Sequence, residues 1–183
     1  MARRHDPNRR SRIIDAAIDC IADYGVAGTS HRKVAARASV PLGSMTYHFV
    51  SMDELLTEAF TRFAATISET FEQRLAAAED RTAAIAAVVD LIHAELQRSK
   101  REQVLTYELY TLAARKPQFR TITQNWMRAS RNALERHFPP DTARAIDAYI
   151  EGAALHIALD PNPQSRQLTE AAVTKLAASN APL

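Results

Sequence analysis

The chain has 183 residues, 46% of them hydrophobic and 24% charged, with a formal net charge of +2. That length and balance suit one or two globular domains with a sizeable core, and exclude a charge-rich disordered chain. Four glycines are too few for a dinucleotide-binding fold or a β-rich fold with many tight turns, while alanine and leucine at helical spacing run through nearly the whole chain, so an all-α fold is expected.

The small net charge hides an asymmetry. Residues 1–50 hold eight Lys/Arg against four Asp/Glu, and residues 51–183 hold fifteen against seventeen. A basic first quarter is what phosphate binding requires. The single cysteine, Cys20, rules out a disulfide within the chain and suits a reducing cytoplasm. No apolar stretch follows the N-terminal arginines and none approaches a membrane span, so the expectation is a cytoplasmic protein with no membrane partner.

Residues 1–10, MARRHDPNRR, form a basic arm that could reach phosphates or a minor groove, or simply stay solvated. Asp6-Pro7 is a suitable cap and first position for a first helix, whose apolar stripe is Ile13, Ile14, Ala17, Ile18 and Ile21. Gly25 is expected to end it by tolerating the left-handed conformation. Cys20, with no base near it in sequence, reads as a small packing residue.

The stretch TSHRKVAARASVPLGSMTYH, Thr29 to His48, reads as two short helices joined by a tight turn. Thr29 or Ser30 caps the first, about His31 to Ala38, and Val34, Ala35 and Ala38 share one face. His31, Arg32 and Lys33 cluster at its start, where a phosphate is favoured. Ser39 and Val40 make the turn, and Pro41 suits the start of a second helix, Leu42 to His48. Gly43, Ser44, Thr46, Tyr47 and His48 are small, hydroxyl-bearing or aromatic, with no acid among them. A helix of about two turns with such a surface is too polar for a core and too short to stand alone. It suits a DNA major groove, so the stretch is expected to be a helix-turn-helix with Leu42–His48 as recognition helix. Ser44 and Thr46 are the expected hydrogen-bonding residues, Tyr47 and His48 the expected phosphate contacts, while Met45 and Phe49 are expected to pack inward.

Ser51-Met52-Asp53-Glu54 forms a capping box that opens a long helix to about Ala78. Phe60, Phe63, Ile67, Phe71 and Leu75 make one apolar stripe on it, which reads first as core. Further helices are expected at about Thr82–Gln97 and Glu102–Arg115, with Arg98–Arg101 as a loop. Others follow at Pro117–His137, from Asp141 as cap to the stop at Asp160-Pro161-Asn162-Pro163, and at Ser165–Ala178, giving about nine helices in all.

With those residues in view, Arg12 to Leu56 resembles the DNA-binding domain of the TetR family of transcriptional repressors. The matching features are Tyr24-Gly25, Gly28-Thr29, Val34-Ala35-Ala36-Arg37-Ala38-Ser39-Val40, Gly43-Ser44-Met45, Tyr47-His48-Phe49 and Asp53-Glu54-Leu55-Leu56. VPLGSMTYHF together with Gln124–Met127 and Ile150–Gly152 is also similar to an enterobacterial member. The chain departs from the family at Thr46, often an aromatic there, and near Met52, often a lysine. These bear on base preference and on one phosphate contact.

The resemblance implies a helix-turn-helix DNA-binding domain in residues 1–50 and a helical effector-binding and dimerisation domain in residues 51–183. It implies an effector pocket, for which Phe63, Ile67, Ile92, Tyr107, Tyr110, Trp126 and His156 are the candidates, with Glu108 as polar anchor; the effector itself is not named by the sequence. The last two helices could close the core of one chain or pack against a symmetric copy. The resemblance favours a homodimer through Ile146, Tyr149, Ile150, Ala153, Ile157, Leu168, Ala172 and Leu176, presenting two recognition helices to a palindromic double-stranded operator.

No catalytic or metal site is legible. The six histidines, His5, His31, His48, His93, His137 and His156, show no metal-ligand spacing, and there is no glycine-rich phosphate loop, nucleophile elbow or convincing acid pair. No enzyme activity and no cofactor are expected. The reading is a ligand-responsive transcriptional regulator, in the first place a repressor. The alternatives are a sequence-indifferent DNA-binding protein of the same fold, and a helical small-molecule-binding protein whose head has no DNA role.

Overall fold

The computed structural model describes residues 7–94 and 100–178. Among them it is all-helical. The helices are α1 (Arg9–Gly28), α2 (His31–Arg37), α3 (Gly43–His48), α4 (Met52–Ala76), α5 (Arg81–Ala94), α6 (Lys100–Arg115), α7 (Pro117–Leu134), α8 (Pro140–Leu159) and α9 (Arg166–Ala178).

Side-chain caps set several starts. Ser30 Oγ accepts from Lys33 N at 3.4 Å, Ser51 Oγ from Glu54 N at 3.1 Å, and Ser165 Oγ from Leu168 N at 3.2 Å. Asp80 Oδ1 accepts from Ala83 N at 2.8 Å and so caps α5. Each satisfies one of the amide groups a helix start leaves unpaired. The capping box at Ser51 is shifted: the Glu54 carboxylate reaches back to Val50 N, at 2.6 Å, one residue before the cap.

Three expected boundaries move. The start expected at Asp6 falls outside the described residues, and Asn8 occupies the N-cap position of α1. Asp141 does not cap α8. Pro139 takes the cap position, Pro140 is the first helical residue, and Asp141 lies in the first turn, where its charge suits the helix dipole. Lys100 and Arg101, expected in a loop, open α6; the polar run contains no glycine or proline to stop a helix, and residues 95–99 lie outside the described part.

The helices form two compact units that interleave along the chain. The first comprises the described residues up to Ala64 together with Lys100–Thr123. Here α1 packs against α2 and α6, and α2 against α3. Of the expected stripe of α1, Ile13, Ile14, Ala17 and Ile21 are buried and Ile18 half-buried, and Leu55, Leu56 and Phe60 of α4 and Leu105 and Leu109 of α6 are buried too. Each such isoleucine, leucine or phenylalanine side chain contributes about 1.5–3 kcal/mol relative to exposure. The helix-turn-helix is therefore not closed by its own three helices; α6, far along the chain, covers α1.

The second unit runs from Ala65 to the end of α5 and from Gln124 to the end of α9. In it α5 packs against α8 and α9, and α8 against α9. Leu75, Val88, Val89, Ile92, Leu134, Phe138, Ile146 and Val173 form its core. Arg81 hydrogen-bonds the Ala177 carbonyl at the end of α9 and lies 5.6 Å from the Phe138 ring centroid, satisfying an orphan carbonyl of a helix C-terminus. A polar network lies beside this core. The buried Thr169 hydroxyl is 2.9 Å from His93 Nε2 and accepts from Gln164 Nε2 at 2.8 Å, and the same Gln164 nitrogen donates to Tyr149 Oη at 3.1 Å.

Candidate nucleic-acid interface

The turn between α2 and α3 is built by backbone hydrogen bonds. Val40 N donates to Ala35 O at 3.0 Å and Ser39 N to Ala36 O at 3.2 Å, with Ser39 at a φ of 52°. This pairing is a Schellman ending, with serine in the left-handed position glycine usually takes. Ser44 N and Met45 N then donate to Pro41 O and Leu42 O at 2.8 and 2.9 Å, starting α3.

Val34 and Ala35 of α2, Met45 of α3 and Phe49 after it are buried, as the spacing predicts. The Arg10 guanidinium sits 4.9 Å from the Phe49 ring centroid and pairs with Glu58. One arginine of the basic N-terminal segment thus ties α1 to α4 and to the end of α3, and the Glu58 hydrogen bond raises its pKa further. Arg3 and Arg4 lie outside the described residues.

The expected DNA-facing residues divide by exposure. Ser30, Arg32, Lys33, Pro41, Leu42, Gly43, Thr46 and Tyr47 are exposed, and Thr29, His31 and His48 are half-buried. Tyr47 stands out of the surface at 83% exposure, its ring edge-on to His48 at 4.9 Å. Ser44, by contrast, is only 6% exposed. It lies on the inward side of α3 next to Met45, so its hydroxyl is turned from the surface on which it was expected. Lys33 is committed within the head, donating from Nζ to Gly28 O at 2.7 Å with the Tyr24 ring centroid 4.2 Å away. Thr29 Oγ1 donates to Gly25 O at 2.8 Å. Both close the end of α1, where carbonyls lack helical partners.

The end of α1 carries the feature that sequence reading partly missed. Gly25 takes φ 68° and ψ 172° inside the helix, a kink before a last turn to Gly28. Glu108 of α6 fills the space beside it: Oε2 accepts from Val26 N at 3.1 Å, and a Cβ on Gly25 would lie 2.6 Å from Oε1. The glycine was legible as a helix stop, but nothing in the sequence named its partner 83 positions away. Arg101, also on α6, pairs with Asp19, and Arg37 of α2 pairs with Asp23, which raises the Arg37 pKa. Val50, 95% exposed directly after α3, was also not singled out. Cys20 is buried, and burial pushes its thiol pKa up, so the reactive thiolate is disfavoured.

The ligand candidates are spread over both units. Phe63, Tyr107, Glu108 and Tyr110 belong to the first, and Ile67, Ile92, Trp126 and His156 to the second. Phe63 and Ile92 are buried, Ile67, Tyr107, Glu108, Tyr110 and Trp126 half-buried, and His156 exposed. Of the dimer candidates, Ile146, Ala153 and Ile157 are buried in the second unit's own core, while Tyr149, Ile150, Ala172 and Leu176 are half-buried. Leu168 is exposed, and so are Leu155 and Leu159, which sequence reading did not select. Among the described residues no three His, Cys, Asp or Glu side chains group as a metal site, and no described helix is long and apolar enough to cross a membrane.

A helix-turn-helix on an all-helical body defines a class of transcriptional regulators, and comparison with known proteins narrows it. Residues 13–59 match the model of bacterial regulatory proteins of the tetR family, and residues 79–179 match a tetracyclin repressor-like C-terminal domain. A candidate transcriptional regulator of Streptomyces coelicolor A3(2) is 52% identical, with a TM-score of 0.91 over 94% of this chain and 100% of that one. The multidrug binding protein EbrR, complexed with ethidium, is 35% identical with a TM-score of 0.80 over 93% of this chain and 99% of that one. The nicotine-responsive transcriptional repressor HdnoR of Paenarthrobacter nicotinovorans is 25% identical over 89% of this chain and 91% of that protein. The chain belongs to the TetR family of transcriptional regulators.

Proposed function

We propose that this protein is a ligand-responsive repressor that binds a palindromic double-stranded DNA operator as a homodimer in the cytoplasm. Residues 1–50 act as the DNA-binding domain and residues 51–183 as the effector-binding and dimerisation domain. The observation that carries the reading is the acid-free surface of α2 and α3. Arg32, Leu42, Thr46 and Tyr47 are exposed on it, over a layer of buried Val34, Met45 and Phe49 that holds the two helices together. Arg32 and the N-terminal arginines supply phosphate attraction, Thr46 and the half-buried His48 hydrogen bonding, and Tyr47 a backbone contact.

Dimerisation is assigned to α8 and α9, where Leu155, Leu159 and Leu168 are exposed and Ala172 is half-buried. An effector bound by the helical body would favour one dimer geometry, and operator affinity would fall by as much as the effector discriminates between the two states. Similarity to a nicotine-responsive repressor and to a protein that binds ethidium supports an aromatic effector.

The test is selection of randomised duplex DNA on the purified protein at about physiological salt, with affinities then measured over a salt series. An enriched palindrome bound far above random DNA supports the proposal. Enrichment of nothing with a steep salt slope points to sequence-indifferent binding, and no binding at all to a head without a DNA role. Ethidium fluorescence titrated on the protein without DNA tests the effector arm.

A further inference from the structure

The leading edge of the reading surface carries no polar side-chain atom. Pro41, Leu42 and Gly43 are consecutive and all exposed, and Leu42 leaves 53% of its surface in solvent. A Cβ added to Gly43 would meet nothing within 4 Å, so the backbone here is open to close approach by a duplex. The first hydroxyl that could reach a base, on Ser44, is withdrawn at 6% exposure, and the next, Thr46 Oγ1, donates to Gly43 O at 3.3 Å. Hydrogen-bond reading is therefore absent from this edge, although the first residues of a recognition helix are those that meet base edges.

In the major groove, three of the four bases present only hydrogen-bonding groups, and thymine alone adds an apolar one, its 5-methyl. A leucine offers nothing to a purine edge and gains by burying itself against a methyl. The patch lies in a stretch, Ser30 to Val50, that contains no Asp or Glu, with Arg32 exposed on the preceding helix. That charge suits a polyanion, so the occupant of this apolar edge is a DNA base. We propose that Leu42 is a specificity-determining residue that recognises thymine through its 5-methyl group, fixing one A·T pair in each operator half-site. The proposal rests on the DNA-binding reading above.

The experiment uses the full-length protein and the operator obtained by selection. Each thymine of one half-site is replaced in turn by deoxyuridine, which deletes only the methyl. One replacement should lower affinity roughly three- to fivefold, the scale of one methyl contact. Leu42→Ala should bind the thymine operator weaker by a similar factor and lose nothing further on the uridine duplex. With a cytosine·guanine pair at that position, 5-methylation of the cytosine should recover affinity for the wild type and not for Leu42→Ala. A selected operator indifferent to every thymine methyl, or a uridine effect that persists undiminished in Leu42→Ala, overturns this assignment alone. Failure to select any operator overturns it together with the DNA-binding reading.

Discussion

At Gly25 the backbone adopts φ 68° and ψ 172°, a region that side chains with a Cβ rarely enter. The carboxylate of Glu108 occupies the place a Cβ would take. Gly25→Ala should therefore destabilise the fold by about 1–3 kcal/mol, because the backbone is strained and Glu108 must leave Val26 N. Denaturant unfolding measures it, and an unchanged midpoint would show that the kink is not required. Thr46 gives the opposite kind of prediction. Its side chain is exposed and, among the described residues, bonded only to Gly43 O, so Thr46→Ala should leave unfolding unchanged. Operator binding should weaken by about 1 kcal/mol, near fivefold, if its hydroxyl meets the DNA; equal affinities at matched salt would remove Thr46 from the interface. These residues also show what a sequence can say locally. The apolar spacing placed Val34, Met45 and Phe49 inward correctly. It could not place Ser44, because a small hydroxyl residue is tolerated on either side of a six-residue helix.

Among the elements, α5 and α9 are joined by the pair His93 and Thr169. The His93 pKa is lowered from its ordinary value of 6.5, first by burial and then by the nearby Arg166 charge, with Asp90 opposing. Arg166 and Asp90 themselves form an ion pair between the same two helices. A base with a lowered folded pKa is neutral in the fold while the unfolded chain still takes up a proton, so stability is lost as pH falls below about 6.5 and levels off once the folded pKa is passed. His93→Gln should flatten that part of the profile, and thermal unfolding between pH 8 and 5 reads the difference. A variant whose profile overlays the wild type would mean that this histidine does not contribute. The helices themselves were legible, since their starts are written by Ser30, Ser51 and Ser165 and their stops by prolines. Asp141 was misread as a cap because Pro139-Pro140 looks like a stop, although proline is well suited to a first helical position.

For the whole molecule, the proposed dimer makes the strongest demand on the surface. Leu159 is 66% exposed, with Leu155 and Leu168 also in solvent on the same two helices. Leu159→Glu should leave the chain folded and shift it from dimer to monomer in sedimentation, with a loss of operator affinity well above tenfold because two heads no longer bind together. A monomeric wild type, or a variant that stays dimeric, would move the interface elsewhere. Sequence alone determined the all-helical class, the helix-turn-helix and the family, because these are written in contacts three and four residues apart and in caps within one turn. Tertiary structure decided the rest. It brought α6 onto α1, set Glu108 against Gly25 and turned Ile146 and Ile157 into the core while leaving Leu159 outside. Each of these depends on which distant helix faces a given side, and a periodic pattern records that a face is apolar without recording what will cover it.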